Sequence, residues 1–101
     1  LFRMTAAGDQ VNWDALASVL FVPGSRPDRF GKALASGAGL VCLDLEDAVP
    51  APDKASARDA AVAAIGPGVA IRINPVTTRD GLADLLALAA APRLPPVFVP
   101  K

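Results

Sequence analysis

The run Leu40-Val-Cys-Leu-Asp-Leu-Glu-Asp-Ala-Val49 places Asp44, Glu46 and Asp47 at the end of an otherwise apolar segment. Acidic side chains are seldom fully buried without a partner. An apolar strand ending in acids therefore reads as a site rather than a stability device. A second apolar segment, Val69-Ala-Ile-Arg-Ile-Asn74, carries Arg72. Alternate residues of a strand share a face, which groups Cys42 with Asp44 and Glu46, and Ala70 with Arg72 and Asn74. Val41, Leu43 and Leu45, and likewise Val69, Ile71 and Ile73, fall on the opposite, helix-packed faces. With the two strands adjacent, Arg72 meets the acids and still offers a planar fork to a substrate carboxylate or carbonyl. A purely structural ion-pair network is the competing account of the same residues.

Other charged groups are weaker candidates. Arg26 and Arg29 lie in the segment after the first apolar run, with Lys32 one turn later. Cations at a helix N-terminus oppose its dipole, so they hint at an anionic ligand; solvated surface charge is the favoured account of them on pattern alone. Lys54 and Arg58, at i and i+4, read as a solvated helix face. Cys42 reads as a small core residue, with no cation beside it in sequence to activate the thiol. Lys101 follows the last apolar run, where a Schiff-base role is conceivable but weakly supported.

The elements that must position these groups alternate regularly. Ser18 to Val22 is β-branched and apolar and stops at Pro23-Gly24. A helix opens at Arg26-Pro27-Asp28, where proline suits the first turn, and ends at Gly37. The second strand is Leu40 to Leu45, and a helix from about Pro52 to Ile65 meets the stop Gly66-Pro67-Gly68. The third strand is Val69 to Asn74. A third helix, roughly Thr78 to Ala90, carries Leu82, Leu85, Leu86 and Ala89 at helical spacing. Val97 to Val99 is the fourth strand. Residues 1–17 read as an N-terminal arm or a short helix around Trp13 to Ala17.

The order βαβαβαβ with continuous apolar strands implies a parallel sheet covered on both faces. Strands starting near residues 18, 40, 69 and 96 approach the ~30 residues per unit of a (β/α)8 barrel. The expected fold is thus α/β, the N-terminal half of a TIM barrel over residues 18–101, with polar residues at the carboxyl ends of its strands. A doubly wound sheet is the alternative, but Pro23-Gly24-Ser25-Arg26-Pro27 lacks the glycine-rich nucleotide turn. Half a barrel leaves its first and fourth strands as unpaired edges, so the segment is expected to belong to a longer chain or to associate with another copy.

Composition narrows the function. The 101 residues are 52% hydrophobic with zero formal net charge, which argues against disorder and against nucleic-acid or membrane-surface partners. No apolar run approaches the ~18 residues of a membrane span. A single cysteine fits a cytoplasmic location. The absence of histidine excludes histidine-ligated zinc and histidine-based triads from this segment.

Ser18-Val-Leu-Phe-Val-Pro-Gly-Ser-Arg26, Lys32-Ala33, Leu43-Asp-Leu-Glu-Asp-Ala-Val49, Lys54 with Ala57-Arg58, Ile71-Arg-Ile-Asn74 and Pro100-Lys101 together resemble the start of the citrate lyase beta-subunit-like family. That family includes malyl-CoA lyases and related 2-oxo-acid aldolases. The resemblance implies a pyruvate-type TIM barrel that makes or breaks carbon–carbon bonds in acyl-CoA thioesters or hydroxy- and oxo-acids. It also implies Mg2+ or another divalent metal, and a homo-oligomer, trimer or hexamer. Carried over by position, it makes Arg72 and Glu46 catalytic, with Arg72 on the substrate's carboxylate or carbonyl oxygen. Phe21, Arg26 and Lys32 line the acyl-CoA or substrate site with Arg72. Asp44 and Asp47 support a metal whose direct ligands are expected beyond Lys101. A retro-aldol or retro-Claisen cleavage leaves an enolate, which a metal and a fixed arginine stabilise. Two other accounts compete: a catalytically silent member that binds acyl-CoA or a small acid, and a doubly wound small-molecule binder, which strands out of 1-2-3-4 succession would support.

Overall fold

The computed structural model describes residues 2–4 and 18–100. Four parallel strands alternate with helices in one sheet: β2 (Val19–Pro23), β3 (Leu40–Asp44), β4 (Val69–Arg72) and β5 (Val97–Val99). They lie in sequence order, β2-β3-β4-β5, as a barrel requires. A doubly wound sheet would break that succession at its switch point.

The helices are α1 (Phe30–Leu34), α2 (Lys54–Ala63) and α3 (Arg79–Ala90). A short 3-10 turn precedes α1 at Pro27–Arg29, and another precedes α2 at Ala51–Asp53. Proline lies at the start of both turns, where its missing N–H costs nothing. α3 starts one residue after Thr78, whose hydroxyl accepts a hydrogen bond from the Gly81 N–H at 3.0 Å.

The main core lies between the sheet and the helices. Val41, Leu43, Leu45, Val69, Ile71, Ile73, Val97 and Val99 pack against Ala57 and Ala61 of α2, Phe30 and Ala33 of α1, and Leu88 of α3. The opposite sheet face holds a smaller cluster, Leu40, Cys42, Ala70 and Phe98. Alternation along the strands thus sorts side chains as the sequence pattern predicts.

Four expectations change. Residues 2–4 form a strand, β1 (Phe2–Met4), antiparallel to β5 with Met4 opposite Val97. The fourth parallel strand is therefore paired, because a neighbouring segment supplies the N–H and C=O partners that a bare edge lacks. The short helix expected at Trp13 to Ala17 lies outside the described residues. The second correction concerns α3, whose buried residues are Gly81, Asp84 and Leu88, while Leu82 and Leu86 are 57% and 65% exposed. The third concerns strand length: β3 ends at Asp44 and β4 at Arg72, so alternation does not extend to Glu46 or Asn74. Lastly, Lys54 and Arg58 are half-buried, and both bond across the fold.

Candidate functional site at the carboxyl end of the sheet

Strand register brings the site together. Asp44 stands opposite Arg72 on the adjacent parallel strand, and Arg72 opposite Phe98 on the next. Arg72 donates from Nε to Asp44 Oδ1 at 2.9 Å and from Nη2 to Asp44 Oδ2 at 2.6 Å. This is the bidentate geometry that favours arginine over lysine. The small residues Cys42 and Ala70, paired two residues back along the strands, leave the inner face low beneath the arginine.

Asp44 has further partners. Its Oδ1 accepts from the Glu46 N–H at 2.9 Å and its Oδ2 from the Ala48 N–H at 3.4 Å. The carboxylate therefore folds the following turn around itself. Burial pushes its pKa up, but hydrogen bonds from Arg72 and the turn outweigh that and hold it below the usual carboxylate range. The Asp44 bonds, against a smaller opposing effect of burial, raise Arg72 above its ordinary value, so its positive charge is permanent.

Phe21 contributes a surface to the arginine. The guanidinium carbon lies 5.1 Å from the Phe21 ring centroid, within cation–π range. The Phe21 and Phe98 rings are 6.0 Å apart and tilted by 56°. One edge of the guanidinium is thus held by Asp44 and one face by Phe21. Since a guanidinium carries five N–H donors, those of Nη1 and the second hydrogen of Nη2 remain outside the Asp44 fork.

Glu46 is half-buried and Asp47 exposed. Burial raises the Glu46 pKa, and a hydrogen bond and charge repulsion from Asp47 add to the rise, against attraction to Arg72. The Arg26 fork closes on Asp28 at the surface, Nε to Oδ1 at 3.1 Å and Nη2 to Oδ2 at 3.0 Å. Its loop still touches the centre through the backbone: the Gly24 N–H donates to the Asp44 carbonyl at 2.8 Å. A Cβ at Gly24 would come within 2.8 Å of the Leu45 side chain, so glycine permits that approach. Lys32 is exposed on α1. Cys42 is fully buried, and its thiol is pushed up to about 12 by burial and the nearby Asp44 charge, which makes it inert.

The sequence reading missed a polar chain on the helix side of the sheet. Lys54 Nζ donates to the Leu45 and Glu46 carbonyls, each at 3.0 Å, and to Asn74 Oδ1 at 2.7 Å. The Asn74 N–H and its Nδ2 both donate to Asp84 Oδ2, at 2.8 and 2.7 Å. Arg58 joins Asp84 at 2.7 Å and Asp80 at 3.1 Å. Asn74 is therefore turned toward α2 and α3, not along the face of Arg72. One signal was available: Asp84 stands three residues after Gly81 and four before Leu88, on a stripe that a helix must bury.

Oxygen ligands of the Glu46 and Asp47 type suit Mg2+ chemically. Both Asp44 oxygens, however, are engaged by Arg72 and backbone N–H groups. Among the described residues no group of three or more His, Cys, Asp or Glu side chains is arranged to hold a metal ion. These residues do not fit a complete metal site.

Successive parallel strands with a charged pair at their carboxyl ends define a protein of the TIM-barrel class, in which that end carries the chemistry. The chain belongs to the HpcH/HpaI aldolase/citrate lyase family, whose model matches residues 17–101. An L-malyl-CoA/beta-methylmalyl-CoA lyase of Cereibacter sphaeroides is 40% identical over 90 residues, covering 81% of this chain and 28% of that protein. A citrate lyase subunit beta-like protein of Mycobacterium tuberculosis is 46% identical over 72 residues, covering 69% of this chain and 26% of that protein. CitE from Mycobacterium tuberculosis in complex with magnesium, acetoacetate and coenzyme A superposes with a TM-score of 0.71 at 41% identity, over 83% of this chain and 32% of that one. The chain thus spans about a quarter to a third of the length of these proteins.

Proposed function

We propose that this chain carries the amino-terminal wall of the active site of a carbon–carbon lyase that acts on CoA-linked or small oxo- and hydroxy-acids. The observation behind the proposal is the Arg72 guanidinium, fixed by Asp44 on one edge and Phe21 on one face, with donors left over. Cleavage of a carbon–carbon bond beside a carbonyl builds negative charge on the carbonyl oxygen. A fixed positive fork at that oxygen stabilises the charge without reorganising. The malyl-CoA lyase relatives, and the CitE complex with acetoacetate and coenzyme A, support this substrate class.

Arg72 and Glu46 stand as the catalytic candidates. Asp44 holds Arg72 in place, and Asp47 tunes Glu46. Phe21 serves first as the platform under Arg72, and its ring is exposed beside the guanidinium. Arg26 and Lys32 are offered as contacts for the anionic part of the substrate. The magnesium in the CitE complexes supports a divalent metal as Lewis acid in the complete protein, with its ligands outside this segment. A homo-oligomer, trimer or hexamer, and a cytoplasmic location belong to the same proposal. Among the described residues, no helix is long and apolar enough to cross a membrane.

The test is a cleavage assay of the complete protein on short hydroxyacyl-CoA thioesters with magnesium. Arg72→Lys keeps the charge but loses the fork, and should lower kcat/KM by about 10²-fold, the scale of losing one such oxyanion donor. Unchanged turnover in that variant overturns the proposal. Tight binding of the thioester with no turnover in the wild type would favour the silent-binder account.

A further inference from the structure

The two strand ends that carry the site share one cation behind them. β3 ends at Asp44, and the last rung before its exit is Leu45 N–H to the Arg72 carbonyl at 2.9 Å. Beyond that rung the Leu45 and Glu46 carbonyls have left the ladder, and buried carbonyls need partners. Lys54 donates to both, the Glu46 carbonyl accepting as well from the Val49 N–H at 3.2 Å, and its third bond goes to Asn74, two residues past Arg72. An ammonium has three donors, and the three acceptors within 3.0 Å match them one for one.

All three acceptors belong to the segments that follow β3 and β4. None is a carboxylate, and among the described residues Lys54 makes no salt bridge. The Asn74 amide is oriented by Asp84, which takes both its N–H and its Nδ2, leaving Oδ1 for Lys54. Asp84 is in turn fixed by Arg58 of α2. The position of Lys54 is therefore set from the helices, and Lys54 anchors from the helix side a turn that the Asp44 carboxylate and the Val49 N–H also hold.

We propose that Lys54 is a positioning residue for this site: from the helix side of the sheet it holds the Leu45–Glu46 backbone against the strand end bearing Arg72, and it never touches substrate. This rests on the lyase reading above. A loss of about an ångström in the placement of Glu46 relative to Arg72 is enough for a large rate effect.

The complete protein with Lys54→Met tests it by two readouts. First, kcat on a hydroxyacyl-CoA thioester should fall about 10- to 100-fold while KM changes less than about threefold. Second, amide exchange at Glu46 and Ala48, whose N–H groups bond to Asp44, should accelerate at least about tenfold, with Val41 and Leu43 in the strand unchanged. Should Lys54→Met fail to fold, Lys54→Gln, which retains two donors, takes its place with the same readouts. Normal kcat together with unchanged exchange at Glu46 and Ala48 overturns the proposal. Arg72→Lys assayed in parallel separates the two readings: a loss in Arg72→Lys with none in the Lys54 variant refutes positioning alone, whereas full activity in both refutes the lyase site itself.

Discussion

Arg72 and Asp44 face each other in register on adjacent parallel strands, joined by two nearly parallel hydrogen bonds of 2.9 and 2.6 Å. Asp44 is 2% exposed, so each partner depends on the other. Arg72→Ala leaves a buried carboxylate with only the two N–H groups of its own turn, and should cost about 3 kcal/mol. Arg72→Lys should cost less, because a charge remains beside Asp44. Chemical denaturation of the complete protein checks the order: wild type most stable, then Arg72→Lys, then Arg72→Ala.

The acids at the strand end give stability a distinctive pH dependence. Asp44 titrates below its ordinary 3.8, so its contribution is full above that value and is lost as pH falls through the lower folded-state pKa. Glu46 titrates above its ordinary 4.5, so the folded state binds that proton more tightly. Its charge is a burden above the folded-state pKa, and the burden is relieved as pH falls toward 4.5. Acidification should thus bring a small gain before the Asp44 loss begins. Glu46→Gln should remove the gain, and Asp44→Asn should flatten the fall below pH 3.8 while lowering stability at neutral pH. Denaturation midpoints from pH 7 to 2.5 measure both.

The helix-side chain is tested through Arg58. Its guanidinium bonds the fully buried Asp84 at 2.7 Å. Arg58→Met leaves that carboxylate with only the Asn74 donors and should destabilise by about 3 kcal/mol. Adding Asp84→Leu should recover part of the loss, because the orphaned charge goes with it. A double-mutant cycle by denaturation gives the coupling, and additive losses would contradict the geometry.

Gly81 predicts a backbone effect of similar size. A Cβ there would collide with the Pro75 carbonyl and crowd that of Asn74. Gly81→Ala should therefore destabilise by about 1–3 kcal/mol, although alanine is the better helix former. A melting temperature at or above wild type would show that the start of α3 can move away from the strand end.

Much of the architecture was legible in the chain. Apolar runs of strand length, punctuated by Pro23-Gly24 and by Gly66-Pro67-Gly68, locate the four parallel strands to within two residues at each end. Strand alternation places Asp44 and Arg72 on one face before any partner is known, because a period of two is a local property of extended backbone. The FVPGSR and DLEDAV motifs carry the family in the same local way.

Tertiary structure decided what lies between elements. The pairing of Asp44 with Arg72, and not with a neighbour one step away, is a matter of register between strands 28 residues apart. The burial of Asp84 and the exposure of Leu82 and Leu86 depend on how α3 is rotated over the sheet. Helical periodicity marks a stripe, but the packing of Gly81 against Pro75 chooses which stripe turns inward. Lys54 and Arg58 show the same division. Their spacing alone describes a solvated helix face, whereas the Leu45 and Glu46 carbonyls beyond β3 and the carboxylate that α3 buries draw both inward. The acids at the end of β3 and the arginine of β4 could be read from the chain itself; the cation that holds them from behind emerged only when three separate segments met, since a hydrogen bond needs both partners in place.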